Sequence, residues 1–262
     1  MSFKVTILGC GASAGVPTIG NIWGNCDPSN PRNRRTRSSI FIEYEETRLL
    51  VDTSPDLRQQ LLDNNVSKFD AIFYTHEHAD HTHGIDDLRL VYYLNDQKSI
   101  PVYTDERCMN ELQQRFPYLF GIGHNAATPK DFNAFLEPHI IDLSPLSIGD
   151  IELKPFLQDH GTITTLGFRI DDFAYSTDVV NLDEAAFQVL EGVNVWVVDC
   201  LRMTPSNVHA HLDKTLEWID RVKPKHAYFT QMSKDLDYDT LCKQLPDHIR
   251  PAYDGLVITL AE

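Results

Sequence analysis

Four side chains that bind divalent metals lie within six residues, His76, His78, Asp80 and His81, in the run Thr75-His76-Glu77-His78-Ala79-Asp80-His81. Neutral imidazole nitrogen and carboxylate oxygen suit zinc, manganese or iron. The run follows an apolar segment, Ala71–Tyr74, and precedes Gly84, which opens a helical pattern. Alternation at the end of such a strand aims His76 and His78 to one side, and a turn then brings Asp80 and His81 round to face them. Two weaker signals concern anions. Gly9-Cys10-Gly11-Ala12-Ser13-Ala14-Gly15-Val16-Pro17 is a glycine-rich loop whose backbone N–H groups can approach a phosphate, with Ser13 a candidate substrate contact. A dinucleotide-binding turn is excluded, because Pro17 and the loop Asn21–Arg37 stand where a helix has to begin. Arg32, Arg34, Arg35 and Arg37 crowd the end of that loop. One reading is a solvated loop paired with an acidic surface. The other is that one or two guanidiniums fork onto phosphate, Arg37 being the candidate nearest the next strand.

These groups need elements to position them. Short apolar or alternating runs predict strands over Phe3–Leu8, Ser39–Tyr44, Leu49–Asp52, Ala71–Thr75, Ile100–Tyr103 and Ile148–Leu157. Leu166–Ile170, Phe173–Ser176, Val193–Val198, Ala227–Thr230 and Leu256–Leu260 complete the set. Helical patterns occupy Pro55–Asn64, with Ser54 as N-cap, then Ile85–Leu94, Asp183–Leu190, Leu212–Val222 and Tyr238–Leu245. Gly20–Arg37, rich in Asn, Pro and Arg, reads as an ordered irregular loop. No regular βαβ repeat exists, so a TIM barrel and a doubly wound sheet fit poorly. Two sheets with helices on their outer faces fit better.

Composition bounds the rest. With 262 residues, 42% hydrophobic and 10% aromatic, the chain supports a proper core and is neither a disulfide-stapled miniprotein nor a disordered tail. A single domain over 1–262 is the expectation. The net charge of −15 repels a nucleic-acid backbone or an anionic membrane. No apolar run is long enough to span a bilayer, and the N-terminus has no signal-peptide pattern. Five scattered cysteines point to free thiols in a reducing, cytoplasmic compartment.

The H-x-H-x-D-H run after a strand resembles the signature of the metallo-β-lactamase superfamily. The resemblance implies a four-layer αββα sandwich with one or two metals at the sheet edges. Further residues match in order. Asp52, in Leu50-Val51-Asp52-Thr53-Ser54, resembles the aspartate that orients the metal loop. His160, in Gln158-Asp159-His160-Gly161, resembles the third histidine of the first metal, and Asp178, in Tyr175-Ser176-Thr177-Asp178, the carboxylate bridging both metals. The glycine loop is similar to the opening loop of the superfamily's phosphodiesterase branch, which includes tRNA 3′-end processing nucleases and phosphoribosyl cyclic phosphate phosphodiesterase. His211, in Val208-His209-Ala210-His211-Leu212, resembles that branch's non-ligand histidine near the leaving group, although His209 could do the same work.

The resemblance implies two divalent ions, zinc or manganese. His76, His78 and His160 would hold the first, and Asp80 and His81 the second, with Asp178 shared. Such a pair lowers the pKa of a bridging water toward about 7 and neutralises phosphate oxygens during attack. His211, or Asp80 in its place, would protonate the departing alkoxide. The implied activity is hydrolysis of a small cyclic or nucleotide-like phosphodiester, with no membrane or nucleic-acid partner, and a homodimer is compatible with the sequence. One departure stands out. The branch usually carries Thr-His after the last core strand and a further histidine three residues on, whereas this chain reads Phe229-Thr230-Gln231-Met232-Ser233-Lys234. Gln231 offers only a neutral amide oxygen, which implies a labile second metal. Two other readings therefore stand beside the phosphodiesterase. One is another metallo-hydrolase on this scaffold (a lactonase, a thioesterase or a tRNA-processing nuclease). The other is a non-catalytic nucleotide-binding protein with a degenerate second metal site.

Overall fold

A computed structural model describes residues 3–122 and 134–260. In chain order the strands are β1 (Phe3–Gly9), β2 (Ser39–Tyr44), β3 (Thr47–Val51), β4 (Ala71–Phe73), β5 (Ile100–Thr104), β6 (Leu136–Ile140) and β7 (Leu146–Ile148). They continue as β8 (Ile151–Asp159), β9 (Thr164–Ile170), β10 (Phe173–Ser176), β11 (Val195–Asp199), β12 (His226–Thr230), β13 (Ile249–Pro251) and β14 (Val257–Leu260). The helices are α1 (Leu57–Asp63), α2 (Ala79–Thr82), α3 (Leu88–Leu94), α4 (Glu106–Arg115), α5 (Glu184–Leu190), α6 (Leu212–Val222) and α7 (Tyr238–Gln244).

Two seven-stranded sheets form, ordered β14-β1-β2-β3-β4-β5-β6 and β13-β12-β11-β10-β9-β8-β7. Period-two alternation explains their packing. Val5 and Ile7 of β1 enter one core cluster with Phe168, Phe173 and Trp196 of the second sheet. Thr6 and Leu8 alternate with them, and Leu8 joins a separate cluster with Leu57, Leu88 and Met109 of α1, α3 and α4. Inner faces therefore meet each other while outer faces meet helices; Leu190 of α5 and Trp218 and Ile219 of α6 belong to the inter-sheet cluster. Phe73 and Phe168 lock the layers edge to face at 5.2 Å. The four layers are those of the αββα sandwich.

In each sheet part of the ladder is parallel: β3 through β6 in the first, β10 through β13 in the second. Parallel strands end at one edge, so the loops after β3, β4, β10, β11 and β12 can supply groups to one place.

The differences from expectation have physical reasons. Ile148–Leu157 is two strands, because Gly149 turns the chain at φ +57 between β7 and β8. Strand β4 stops at Phe73, since Asp52 captures the Thr75 N–H (2.8 Å) in place of a ladder partner. The first helix begins at Leu57, after a turn in which the Ser54 hydroxyl accepts the Asp56 N–H (3.1 Å). Strands β6 and β13 carry Pro138 and Pro251 at the sheet margins, where a missing N–H is tolerated. The expected strand pattern is blurred by those prolines. Helix α4 is capped by Asp105, whose carboxylate accepts the Cys108 N–H (2.8 Å).

Candidate metal centre

Strand β4 delivers the histidine run to the edge of the first sheet, and α2 turns Asp80 and His81 back over it. Arg115 of α4 holds the bend by donating to the Glu77 carbonyl (2.7 Å). Asp52, at the end of β3, is fully buried and makes three contacts. It accepts the Thr75 N–H and Oγ1 (both 2.8 Å) and the His81 Nδ1–H (2.7 Å). That fixes the His81 tautomer, so its Nε2 faces inward. From the second sheet come His160 after β8, Asp178 after β10 and Gln231 after β12. His160 donates Nδ1–H to the Val208 carbonyl (2.6 Å), which leaves Nε2 as an acceptor, as a metal ligand requires.

Two groups of donors result. His76, His78, His160 and Asp178 bring ligand atoms within 4.8 Å of one another, and so do Asp80, His81 and Asp178. Asp178 is common to both. Its Oδ1 lies 3.9 Å from His76 Nε2 and 3.7 Å from His160 Nε2, and its Oδ2 lies 3.0 Å from His81 Nε2. The electrostatics fit cations. Burial pushes His76 well below the ordinary 6.5 and lowers His78, so both rings offer lone pairs at neutral pH. Burial alone would also lower His81, but the carboxylates of Asp178, Asp80 and Asp52 outweigh it and hold the ring well above 6.5. Burial raises Asp178, yet facing His81 and His209 the carboxyl falls well below 3.8. The clearest sign is where His81 Nε2 points: it is fully buried and faces both Asp178 Oδ2 (3.0 Å) and Asp80 Oδ2 (3.5 Å), so three donors converge on one place, as a shared cation requires. The donor set fits a dinuclear metal site, whose first position has four donors and whose second has three, with Gln231 beside it.

Of the two histidines before α6, it is His209 whose ring reaches the cluster. Its Nδ1–H donates to Asp199 at the end of β11 (2.7 Å), its Nε2 lies 3.8 Å from Asp178 Oδ1, and its ring packs edge-on to His160 at 4.7 Å. Burial lowers this imidazole, but Asp199 and Asp178 prevail and push it up to about 9. His211 occupies the α6 N-cap position, its backbone pairs with Arg202, and among the described residues its ring has no hydrogen bond, ion pair or ring contact. The structure thus brings His209, and not His211, up to the donor groups. Asp199, which orients that ring, is absent from the sequence reading. Its signal is the same as for Asp52 and Asp178: an aspartate closing an apolar strand.

Gln231 is buried among the second group. Its Nε2 donates to Asp178 Oδ1 (3.1 Å) and Asp80 Oδ2 (3.5 Å), and its Oε1 accepts from Ser38 Oγ (2.5 Å). The glycine loop rims the same edge, with Ala12 N–H on the Met232 carbonyl (3.1 Å). A Cβ at Gly9 would stand 2.1 Å from the Arg37 carbonyl, and one at Gly11 would stand 2.8 Å from the Thr36 carbonyl. Close backbone packing thus accounts for both glycines. Ser13 is exposed on this loop. The arginines separate. Arg35 is buried and donates to the carbonyls of Leu236 (2.7 Å) and Ser233 (3.1 Å), so it braces the segment after Gln231 and does not belong to a solvated loop. Arg32 lies over the rings of Tyr238 and Tyr253, and Arg34 over Trp23. Arg37 pairs with Asp56 through Nε (3.0 Å).

The model of the family described as "Beta-lactamase superfamily domain" matches residues 47–232, which hold every donor described above. The chain belongs to the beta-lactamase superfamily. Within it, a solved diphosphatase of the PhnP family is 33% identical with a TM-score of 0.89, over 99% of this chain and 98% of that one. Zinc-bound PqqB from Methylobacterium extorquens (17% identity, TM-score 0.73, 98% and 100% covered) and the short form of human tRNase Z (18%, 0.68, 97% and 98%) share the superfamily fold. A protein of Porphyromonas gingivalis named octanoyltransferase is 27% identical over 99% of this chain, but the chain spans only 52% of its length. The superfamily placement makes this chain a metal-dependent hydrolase. All five cysteines are free, and no described helix is long and apolar enough to cross a membrane.

Proposed function

We propose that this hydrolase is a phosphodiesterase acting on a small cyclic or nucleotide-like phosphodiester, with His209 as the proton donor to the leaving oxygen. The observation that carries the reading is the His209–Asp199 pair set against two donor groups that share Asp178. Divalent cations, zinc or manganese, bound by those groups supply a nucleophile from water at neutral pH and offset the phosphate's charge. The chain's own residues do the rest. Asp199 holds the His209 ring with Nε2 toward the cluster, 3.8 Å from Asp178, so that its proton points to where substrate must sit. A sugar alkoxide is a poor leaving group, and a fixed imidazolium is the group that makes its departure feasible. Asp80, partly exposed beside the cluster, is the alternative donor. Arg37 and Ser13, near the glycine loop, are proposed substrate contacts; a Cβ at Gly15 would lie 3.8 Å from the Arg37 guanidinium. The overall acidity and the single short arginine cluster argue against RNA as substrate, and for a small ligand. We also propose a cytoplasmic location, from the free thiols.

A second reading has its own support, since the 33% identical relative is named a diphosphatase. A diphosphate linkage expels phosphate, which departs without full protonation and makes less use of His209. Acyl transfer has weaker support, because the relative named octanoyltransferase is 27% identical and this chain spans only 52% of its length.

The test is a substrate panel with added manganese or zinc: cyclic phosphodiesters, bis(p-nitrophenyl) phosphate, nucleoside diphosphate conjugates, a lactone, a thioester and nitrocefin. Phosphodiesters should exceed nitrocefin and the lactone by orders of magnitude, chelation should abolish turnover, and Asp178→Ala should disturb both metals. Preference for the diphosphates would establish the second reading. Full activity of Asp178→Ala with one ordered metal would overturn the shared-ligand assignment.

A further inference from the structure

Gln231 presents hydrogen atoms, not lone pairs, to the second group of donors. Its Nε2 faces Asp178 Oδ1 at 3.1 Å and Asp80 Oδ2 at 3.5 Å, and its Oε1 is turned away onto Ser38 Oγ at 2.5 Å. An N–H pair held between two carboxylates stands where a shared cation would, and turns the positive end of a neutral amide dipole toward them. A cation shared by Asp80, His81 and Asp178 needs the oxygen end of this amide, because an amide nitrogen carries no available lone pair.

Ser38 can serve either end. Its hydroxyl is buried, and its neighbours are Gln231 Oε1, the Gly11 carbonyl at 3.2 Å and Thr230 Oγ1 at 3.4 Å. A hydroxyl has one hydrogen and two lone pairs. With Oε1 toward it, Ser38 donates to Gln231. With the amide turned, Ser38 accepts from Nε2 and swings its hydrogen onto Gly11, whose carbonyl is already within reach.

We propose that Gln231 and Ser38 form a two-position amide switch that decides whether the second cation is held. This rests on the dinuclear reading of the centre and extends it: loading of the second position is coupled to a half-turn of one side-chain amide, with Ser38 as the positioning residue. The turn gives up two hydrogen bonds to carboxylates. That lowers second-site affinity beyond what a weaker ligand alone would do, in the range of about 10- to 100-fold that partners of metal ligands command. The amide oxygen also favours a harder ion, manganese or magnesium, at that position.

The experiment uses the full chain, stripped with a chelator and titrated with zinc, and does not involve substrate. Calorimetry reads stoichiometry and affinity, and the Gln231 side-chain N–H signals are followed by NMR with 15N labelling. The first equivalent should leave those signals in place. The second should bind at least about tenfold more weakly and move them as the amide leaves the carboxylates. Gln231→Glu offers oxygen in either orientation, so its two equivalents should bind with affinities within about tenfold of each other. Its metal-stripped form should melt below the metal-stripped wild type, since a third carboxylate then faces Asp80 and Asp178. Amide signals that stay put while the second equivalent binds would overturn the switch and leave the dinuclear centre standing. So would an unchanged second affinity in Gln231→Glu. Absence of any zinc binding in both proteins would overturn the dinuclear reading together with the switch.

Discussion

Replacing His209 by alanine separates proton donation from everything else this centre does. The ring belongs to neither donor group, so both metal positions keep their ligands. What goes is the imidazole 2.7 Å from Asp199 whose far nitrogen lies 3.8 Å from Asp178. A positioned general acid contributes about 10²- to 10⁴-fold, or about 2.7 to 5.5 kcal/mol of barrier. For a phosphodiester with an alkoxide leaving group, kcat should fall by that factor while KM and metal content hold. For bis(p-nitrophenyl) phosphate, whose aryl oxide departs without a proton, the fall should be less than about tenfold. Asp199→Asn should reproduce part of the selective loss, because the ring is then free to turn. His211→Ala should stay within about twofold of wild type for both substrates, in keeping with a residue that touches nothing in the cluster. The assay is paired steady-state kinetics on the two substrates, with metal content measured on the same samples. Equal losses on both would refute acid catalysis by His209, and a larger loss in His211→Ala would return the role to that residue.

Arg35→Ala should lower the unfolding free energy by about 2 to 5 kcal/mol in urea titrations, because the Leu236 and Ser233 carbonyls lose a buried charged donor; a loss below about 1 kcal/mol would contradict the bracing role. Burial raises the Asp254 carboxyl to about 6 from 3.8, so the folded chain binds the extra proton between those values and stability falls as pH rises across that window. The fall amounts to about 3 kcal/mol, and Asp254→Asn should flatten it in urea titrations spanning the window; parallel curves for the two proteins would sink the assignment. Removing divalent metal should lower Tm and re-addition should restore it, read by calorimetry, because ligands on both sheets then lose their common partner. A Tm indifferent to metal would contradict that.

Local chemistry was legible in the sequence where neighbours in the chain are neighbours in space. His76, His78, Asp80 and His81 sit on one strand end and its turn, and their spacing carried the signal. Asp52, His160 and Asp178 became readable as parts of the site only through family resemblance, since an aspartate or histidine closing a strand is by itself too common a signal to assign a role. The choice between His209 and His211 turned on which ring faces back past Val208, and no alternation rule covers the segment between β11 and α6. Ser38 acts on Gln231, 193 residues away, and Asp199 on His209, only 10 residues away, and only the second leaves a trace, as an aspartate ending an apolar run. The arginine run shows the same limit from the other side: four like residues, one ion pair, one buried brace and two that stack on aromatic rings. On the fold, the alternating strands were plain, and β6 and β13 were obscured by proline at the margins.

The donors of the centre come from both layers, His76, His78, Asp80 and His81 from one sheet and His160 and Asp178 from the other. A bound ion is then a rivet through a laminate. The histidine run can form its turn early, but the rivet cannot close until the two laminae have met face to face, so it is absent from any transition state in which they are still apart. Interactions made that late do little to hasten folding and act mainly as a brake on unfolding. The life of the assembled protein, more than the speed of its assembly, is what the metal should govern.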